Sequence, residues 1–129
     1  MRKEKYDRKG GCVMDIRRYD IIVVDLGKTV GSEQGGIRPA VVVQNNTGNT
    51  YSSTTIILPL TKEIKKLYQP THTLIRKNYK NGLKYDSMVE GEQIRVVSHQ
   101  RILRKCGRIT DESEKKEIRR VYNASFGED

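Results

Sequence analysis

The stretch of this sequence best suited to chemistry is Gly31-Ser-Glu-Gln-Gly-Gly-Ile-Arg38-Pro39. A glycine-rich connection lets backbone N–H groups approach an anion closely. This one runs directly into an arginine, whose planar fork of donors suits phosphate oxygens. It is not a Walker loop, because the Gly-Lys-Ser/Thr ending is missing. Nor is it a dinucleotide fingerprint, since a β-branched run and not a helix follows. Glu33 is the one carboxylate in the stretch. On residue types alone, the same segment also fits an ordinary long surface loop ending in an arginine.

Other reactive side chains are sparse. The two cysteines, Cys12 and Cys106, are far apart and form no CxxC pair. With His72 and His99 they match no zinc spacing, so they read as ordinary thiols. Thr61 stands between an apolar run and a polar segment, a common place for a helix N-cap.

The elements that must position these residues are short strands. Asp20 to Leu26 is a β-branched strand, and the loop from Gly27 to Ile37 follows it. Arg38 to Asn45 is the second strand, with Pro39 at its beginning, where a missing N–H is tolerated. Asn46-Thr-Gly-Asn-Thr50 reads as a turn cluster and Thr54 to Leu60 as the third strand. Thr61 to Leu67 is expected to make one or two helical turns. Thr71 to Arg76 alternates like a half-buried strand, and Ser87 to Val97 reads as another, interrupted at Glu90-Gly91.

Beyond this the chain reads as helical. A short turn is expected from Ser98 to Arg104, with Gly107 as a break. Asp111 then caps a helix, with Glu114 completing a capping box. Ile118, Val121, Tyr122 and Ser125 or Phe126 would form its inner face. The pattern predicts a mainly β protein with short helices (α+β), a small barrel or sheet carrying a C-terminal amphipathic helix.

Composition narrows the partners. The 129 residues carry 25 Lys+Arg against 16 Asp+Glu, a net charge of +9, which favours polyanions: nucleic acid or an acidic protein. Seven basic and three acidic residues fall in positions 1–19, so nearly half of that excess sits in the leader. Residues 1–13 are expected to be a disordered basic extension and 14–129 a single domain, with Met14 as an alternative start. No apolar run is long enough for a signal-peptide core or a membrane span, so a soluble, cytoplasmic protein is expected.

Four blocks taken in order resemble one family. Asp20 to Leu26, then Gly31 to Pro39 with Val-Val-Val-Gln44-Asn45, then Pro70-Thr-His72, then Asp86-Ser87 with Glu92-Gln93-Ile94-Arg95 look like the MazF/PemK toxins. The resemblance covers about residues 14–126. It implies a bent SH3-like β-barrel, a homodimer, and a metal-independent endoribonuclease needing no cofactor. It further implies a single-stranded RNA substrate and an acidic, MazE-like antitoxin occupying the RNA groove. Cleavage would give a 2′,3′-cyclic phosphate and a 5′-OH.

The same resemblance makes Arg38 and Thr61 the catalytic pair. It offers Ser32, Glu33 and Gln34 as further catalytic or RNA-binding residues, with Asn45, Gln93 and Arg95 as RNA or interface contacts. His72 falls in a scaffold block. Two departures stand out. Tyr19 replaces the usual glycine before the first strand, and Glu90-Gly91 replaces residues that are normally apolar, pointing to a bulge or altered edge. The competing functions are a same-fold topoisomerase poison and a non-catalytic nucleic-acid-binding or repressor module.

Overall fold

The computed structural model describes residues 5–6, 12–13 and 15–127. Lys5–Tyr6 (β1) and Cys12–Val13 (β2) pair antiparallel. The rest of the expected extension over residues 1–13 lies outside the described residues, as does Met14.

The body of the chain is an antiparallel sheet. Its strands are β3 (Asp20–Asp25), β4 (Ile37–Val42), β5 (Thr54–Thr61), β6 (His72–Ile75), β7 (Ser87–Glu90), β8 (Arg95–Ser98) and β9 (Ile102–Arg108). They run in the order β6-β7-β5-β4-β3-β9, and β8 pairs with the first half of β5. The sheet is not closed: β6 and β9 remain its ends, so the expected barrel is an open one.

Successive side chains of a strand point to opposite faces, and both faces of the central strands are buried. Ile21, Val41, Leu58 and Leu60 enter one core, while Ile22, Val24, Ala40, Val42 and Ile57 enter another. The first core is completed by Ile118 and Val121 of α2 (Glu112–Phe126), which lies on it. Asp111 caps α2 as expected, its carboxylate accepting from the Ser113 N–H at 2.9 Å. Glu114 accepts instead from the backbone of Arg76, tying the helix to the end of β6. Phe126 is not on the inner face; it is exposed and stacks on Tyr122.

Three local expectations are corrected. Asn46–Tyr51 is a short helix (α1), not a turn, because Asn45 caps it through an Oδ1 that accepts from the Gly48 N–H at 2.8 Å. The segment after Thr61 makes bends and turns but no helix, and Lys66 within it has φ +50°. Residues 102–108 form a strand where a turn and break were expected. Gly107 is needed there for a close approach, since a Cβ would meet the Lys80 carbonyl oxygen at 2.2 Å.

Both departures from the family pattern have physical reasons. Tyr19 has φ +72°, the conformation that favours glycine and costs another residue about 1–2 kcal/mol. Its ring offsets that cost by entering the first core, and its hydroxyl accepts from Arg119 Nη1 at 2.7 Å. Gly91 ends β7 and opens a single 3-10 turn, Gly91–Gln93, so the Ser87–Val97 run becomes two strands. A Cβ at Gly91 would meet the Val121 carbonyl oxygen at 2.5 Å, so α2 can lie this close only against glycine.

Candidate active site

The geometry of the site begins with a proline. Val43 donates its N–H to Ile56 at 2.9 Å, so the odd-numbered residues of β4 turn their N–H groups towards β5. In the same register Pro39 stands opposite Leu60, and proline has no N–H to give. The β4–β5 ladder stops one residue short, at Ala40 and Pro59. Arg38 supplies the missing donor from its side chain, Nη1 reaching the Leu60 carbonyl at 3.4 Å.

Continuing the register by one more residue places Thr61 opposite Arg38. Directly opposed residues project from the same face of a sheet. Both line one cleft of about 410 Å³, together with Lys62, Lys84, Tyr85 and Arg104. Arg38 is half-buried and its Nε donates to the Gly35 carbonyl at 2.9 Å. These two anchors leave both N–H groups of Nη2 without a partner among the described residues. Thr61 Oγ1 accepts from the Glu63 N–H at 3.1 Å, so its own proton remains available to donate. The capping role read from sequence is thus present in part, over a turn and not a helix.

Four cations against the single carboxylate of Glu63 make the cleft electropositive. Tyr85 is exposed, with the Lys62 ammonium 5.1 Å from its ring centre. Neither Lys62, Lys84, Tyr85 nor Arg104 was foreseen. Arg104 was missed because β9 was not recognised; the others lie in polar segments with no periodic signal.

The remaining predicted residues fall into a second group. Ser32 and Glu33 line an adjoining pocket with Gln93 and Arg95, beside the cleft and not within it. Glu33 turns back into its own loop, accepting from the Val30 N–H at 2.9 Å. Gln34 lines the main cleft and is held at both ends: its N–H donates to Gln93 Oε1 at 3.1 Å and its amide to Glu90 Oε2 at 2.9 Å. Gln93 in turn donates to the Ser32 carbonyl at 3.2 Å. Arg95 lies on β8 opposite Ile57. Asn45 belongs to neither pocket; it caps α1.

Beneath this group lies His72, whose ring is buried. Its Nδ1 faces the Lys66 carbonyl at 2.9 Å and its Nε2 faces Glu92 Oε1 at 2.8 Å. Two acceptors at this distance favour the doubly protonated ring. Burial pulls its pKa down, but the Glu92 carboxylate, the Lys66 carbonyl and the Glu90 charge outweigh burial and hold it above the ordinary value. Glu90 is also perturbed: burial pushes its carboxyl up against the Gln34 bond, and Glu92 adds to this while Arg38 and His72 oppose it. His99 is buried in the 3-10 turn His99–Arg101 and lines neither pocket. Among the described residues no three His, Cys, Asp or Glu side chains converge as a metal site. No described helix is long and apolar enough to cross a membrane.

Known proteins resemble this chain in sequence and in fold. Residues 17–125 match the model of the PemK-like, MazF-like toxins of type II toxin–antitoxin systems. The endoribonuclease MazF of Staphylococcus saprophyticus is 42% identical over 112 residues, covering 87% of this chain and 92% of that protein. Among solved structures, an endoribonuclease from a mycobacterial species, in complex with its cognate antitoxin, superposes with a TM-score of 0.71. It is 18% identical over 87% of this chain and 95% of its own. MazF from Deinococcus radiodurans also gives 0.71, at 16% identity over 86% and 96% of the two chains. By sequence and by fold, the chain belongs to the PemK/MazF family of type II toxins.

Proposed function

We propose that this chain, an endoribonuclease toxin, cuts single-stranded RNA by internal transesterification at the Arg38–Thr61 cleft. The observation that carries this is the opposition of those two side chains across the opened end of the β4–β5 ladder, in a cationic groove. In the reaction the ribose 2′-oxygen loses its proton and bonds to phosphorus. The bond from phosphorus to the 5′-oxygen breaks, and that oxygen gains a proton. The products are a 2′,3′-cyclic phosphate and a 5′-OH end.

Arg38 stabilises the charge on the pentacoordinate phosphate through Nη2 and can hydrogen-bond the leaving 5′-oxygen while keeping its own proton. It does not take the 2′-OH proton, because a guanidinium stays protonated in proteins. Thr61 donates its hydroxyl proton to the same phosphate oxygens. Ser32, Glu33, Gln93 and Arg95, in the pocket beside the cleft, and Gln34, in the cleft itself, bind the flanking nucleotides rather than perform chemistry. Tyr85 offers a face for a base to stack on.

The partners follow from the same charge. An acidic antitoxin would fill the groove that RNA phosphates otherwise occupy, as favoured by the net charge of +9. A homodimer in the cytoplasm, where messenger RNA is found, completes the proposal.

Purified protein incubated with single-stranded RNA in EDTA tests it. Fragments should carry 5′-OH ends that accept phosphate from a polynucleotide kinase without prior dephosphorylation. No cutting, or 5′-phosphate ends, would reject this mechanism. Supercoiled DNA broken by a topoisomerase in the protein's presence, with RNA intact, would instead favour a topoisomerase poison.

A further inference from the structure

Glu90 is hard to explain as packing. It ends β7, a strand buried along its whole length, and is only 7% exposed. Its Oε1 is buried with no hydrogen-bond partner among the described residues. A buried carboxylate in this condition costs stability, and an apolar side chain would fill the space without that cost. What the carboxylate does hold is Gln34, through Oε2 at 2.9 Å.

Gln34 is pinned from two directions, by Glu90 at its amide and by Gln93 at its N–H. The next residue, Gly35, presents the carbonyl that accepts from Arg38 Nε at 2.9 Å. A continuous path of bonds therefore runs from a buried, immobile carboxylate to the guanidinium. Arg38's other anchor, on Leu60, is the longer of the two at 3.4 Å. Aim therefore depends chiefly on Gly35. We propose that Glu90 is a positioning residue, fixing through Gln34 the carbonyl against which the Arg38 guanidinium is oriented. Its consequence for catalysis rests on the role given to Arg38 above.

The test compares Glu90→Leu, Glu90→Gln and Gln34→Ala by two measurements. The first is solvent exchange of the Arg38 Nε–H, followed by NMR and assigned by its loss in Arg38→Lys. Exchange should quicken roughly tenfold or more in Glu90→Leu and in Gln34→Ala. It should return towards the wild-type rate in Glu90→Gln, whose amide oxygen still accepts from Gln34. The double variant Glu90→Leu/Gln34→Ala should be no worse than either single one, because both cut the same path.

The second measurement is RNA cleavage. Small misplacement of a reacting group can cost about 10²-fold, so kcat should fall roughly tenfold to a hundredfold in Glu90→Leu, with KM little changed and recovery in Glu90→Gln. Unchanged Nε–H exchange in Glu90→Leu, or fully additive effects in the double variant, would overturn the proposal. Cleavage surviving in Arg38→Ala would overturn the catalytic reading instead, and the exchange data would still decide whether Glu90 positions the guanidinium.

Discussion

The two halves of the site are built by different means. Arg38, Thr61 and Arg104 stand on β4, β5 and β9, where strand pairing fixes their backbone. Ser32, Glu33 and Gln34 stand on the 27–36 loop, whose placement depends on the side chains of Gln93 and Glu90. The strand half sits on two buried cores, which hold its backbone in place. The loop half is tied to the rest of the fold by single side-chain hydrogen bonds. Chemistry needs fixed distances and recognition needs adaptable ones, so the proposed function puts reaction on the sheet and sequence reading on the loop.

Arg38→Ala should break the strand half most severely. Removal of one donor to a transition-state oxyanion typically costs about 10²–10³ in rate, and Arg38 provides more than one N–H. A fall of roughly 10³ or more in single-turnover cleavage is expected, with an unchanged circular dichroism spectrum. Survival of cleavage within tenfold of wild type would place the chemistry elsewhere.

Thr61→Val should be next. The isostere keeps the β-branched shape and loses the donor, so a loss of roughly 10–10² is expected, while Thr61→Ser restores most of the rate. Thr61→Val also removes the acceptor for the Glu63 N–H, so the melting temperature is to be measured alongside. Equal losses in the Ser and Val variants would mean that the methyl group matters as much as the hydroxyl.

Gln93→Ala addresses the loop half. It cuts the bonds to the Gln34 N–H and the Ser32 carbonyl together. The Glu90 bond still holds Gln34 and with it the aim of Arg38, so kcat on a saturating optimal RNA should change by less than about threefold, while KM rises roughly three- to tenfold for a contact set of this size. Sequencing of the 5′-OH ends should show a broadened cut pattern. An equal fall in kcat with no change in KM would erase the distinction between the halves.

How much of this was legible follows the same division. The strands carrying Arg38 and Thr61 announced themselves through β-branched runs, and their ordered motifs carried the family resemblance. Their opposition was not legible, because it depends on the β4–β5 register and on Pro39 ending the ladder. Strand β9 was invisible for a specific reason: only Ile102 in it is buried, Leu103 is exposed, and no alternation remains to be read. Arg104 went with it. Glu90 looked like a strand defect, whereas its partner, Gln34, is 56 residues away in sequence. Such contacts are set by tertiary packing and leave no local pattern.

The smallest effect should come from His72, which joins the halves. Its Nδ1 holds Lys66 in the segment leaving Thr61, and its Nε2 holds Glu92, the neighbour of Gln93. The folded pKa is raised above the ordinary value of 6.5. The stabilisation it provides is therefore fully present below about pH 6.5 and is lost as pH rises through the folded value. Glu92 is 39% exposed, so water screens the ion pair and keeps the contribution small. The melting temperature of the wild type should fall by a few degrees more than that of His72→Gln as pH rises from about 6 upward through the folded value. Parallel curves for the two proteins would show that the ring is not charged in the fold. If the curves diverge, Nε–H exchange at Arg38 should quicken more steeply with pH in the wild type than in His72→Gln, beyond the rise that hydroxide catalysis gives both, because weakening of the Glu92 contact loosens the turn that carries Gln93. The loop half would then loosen before the strand half, and cleavage specificity would relax before the rate does.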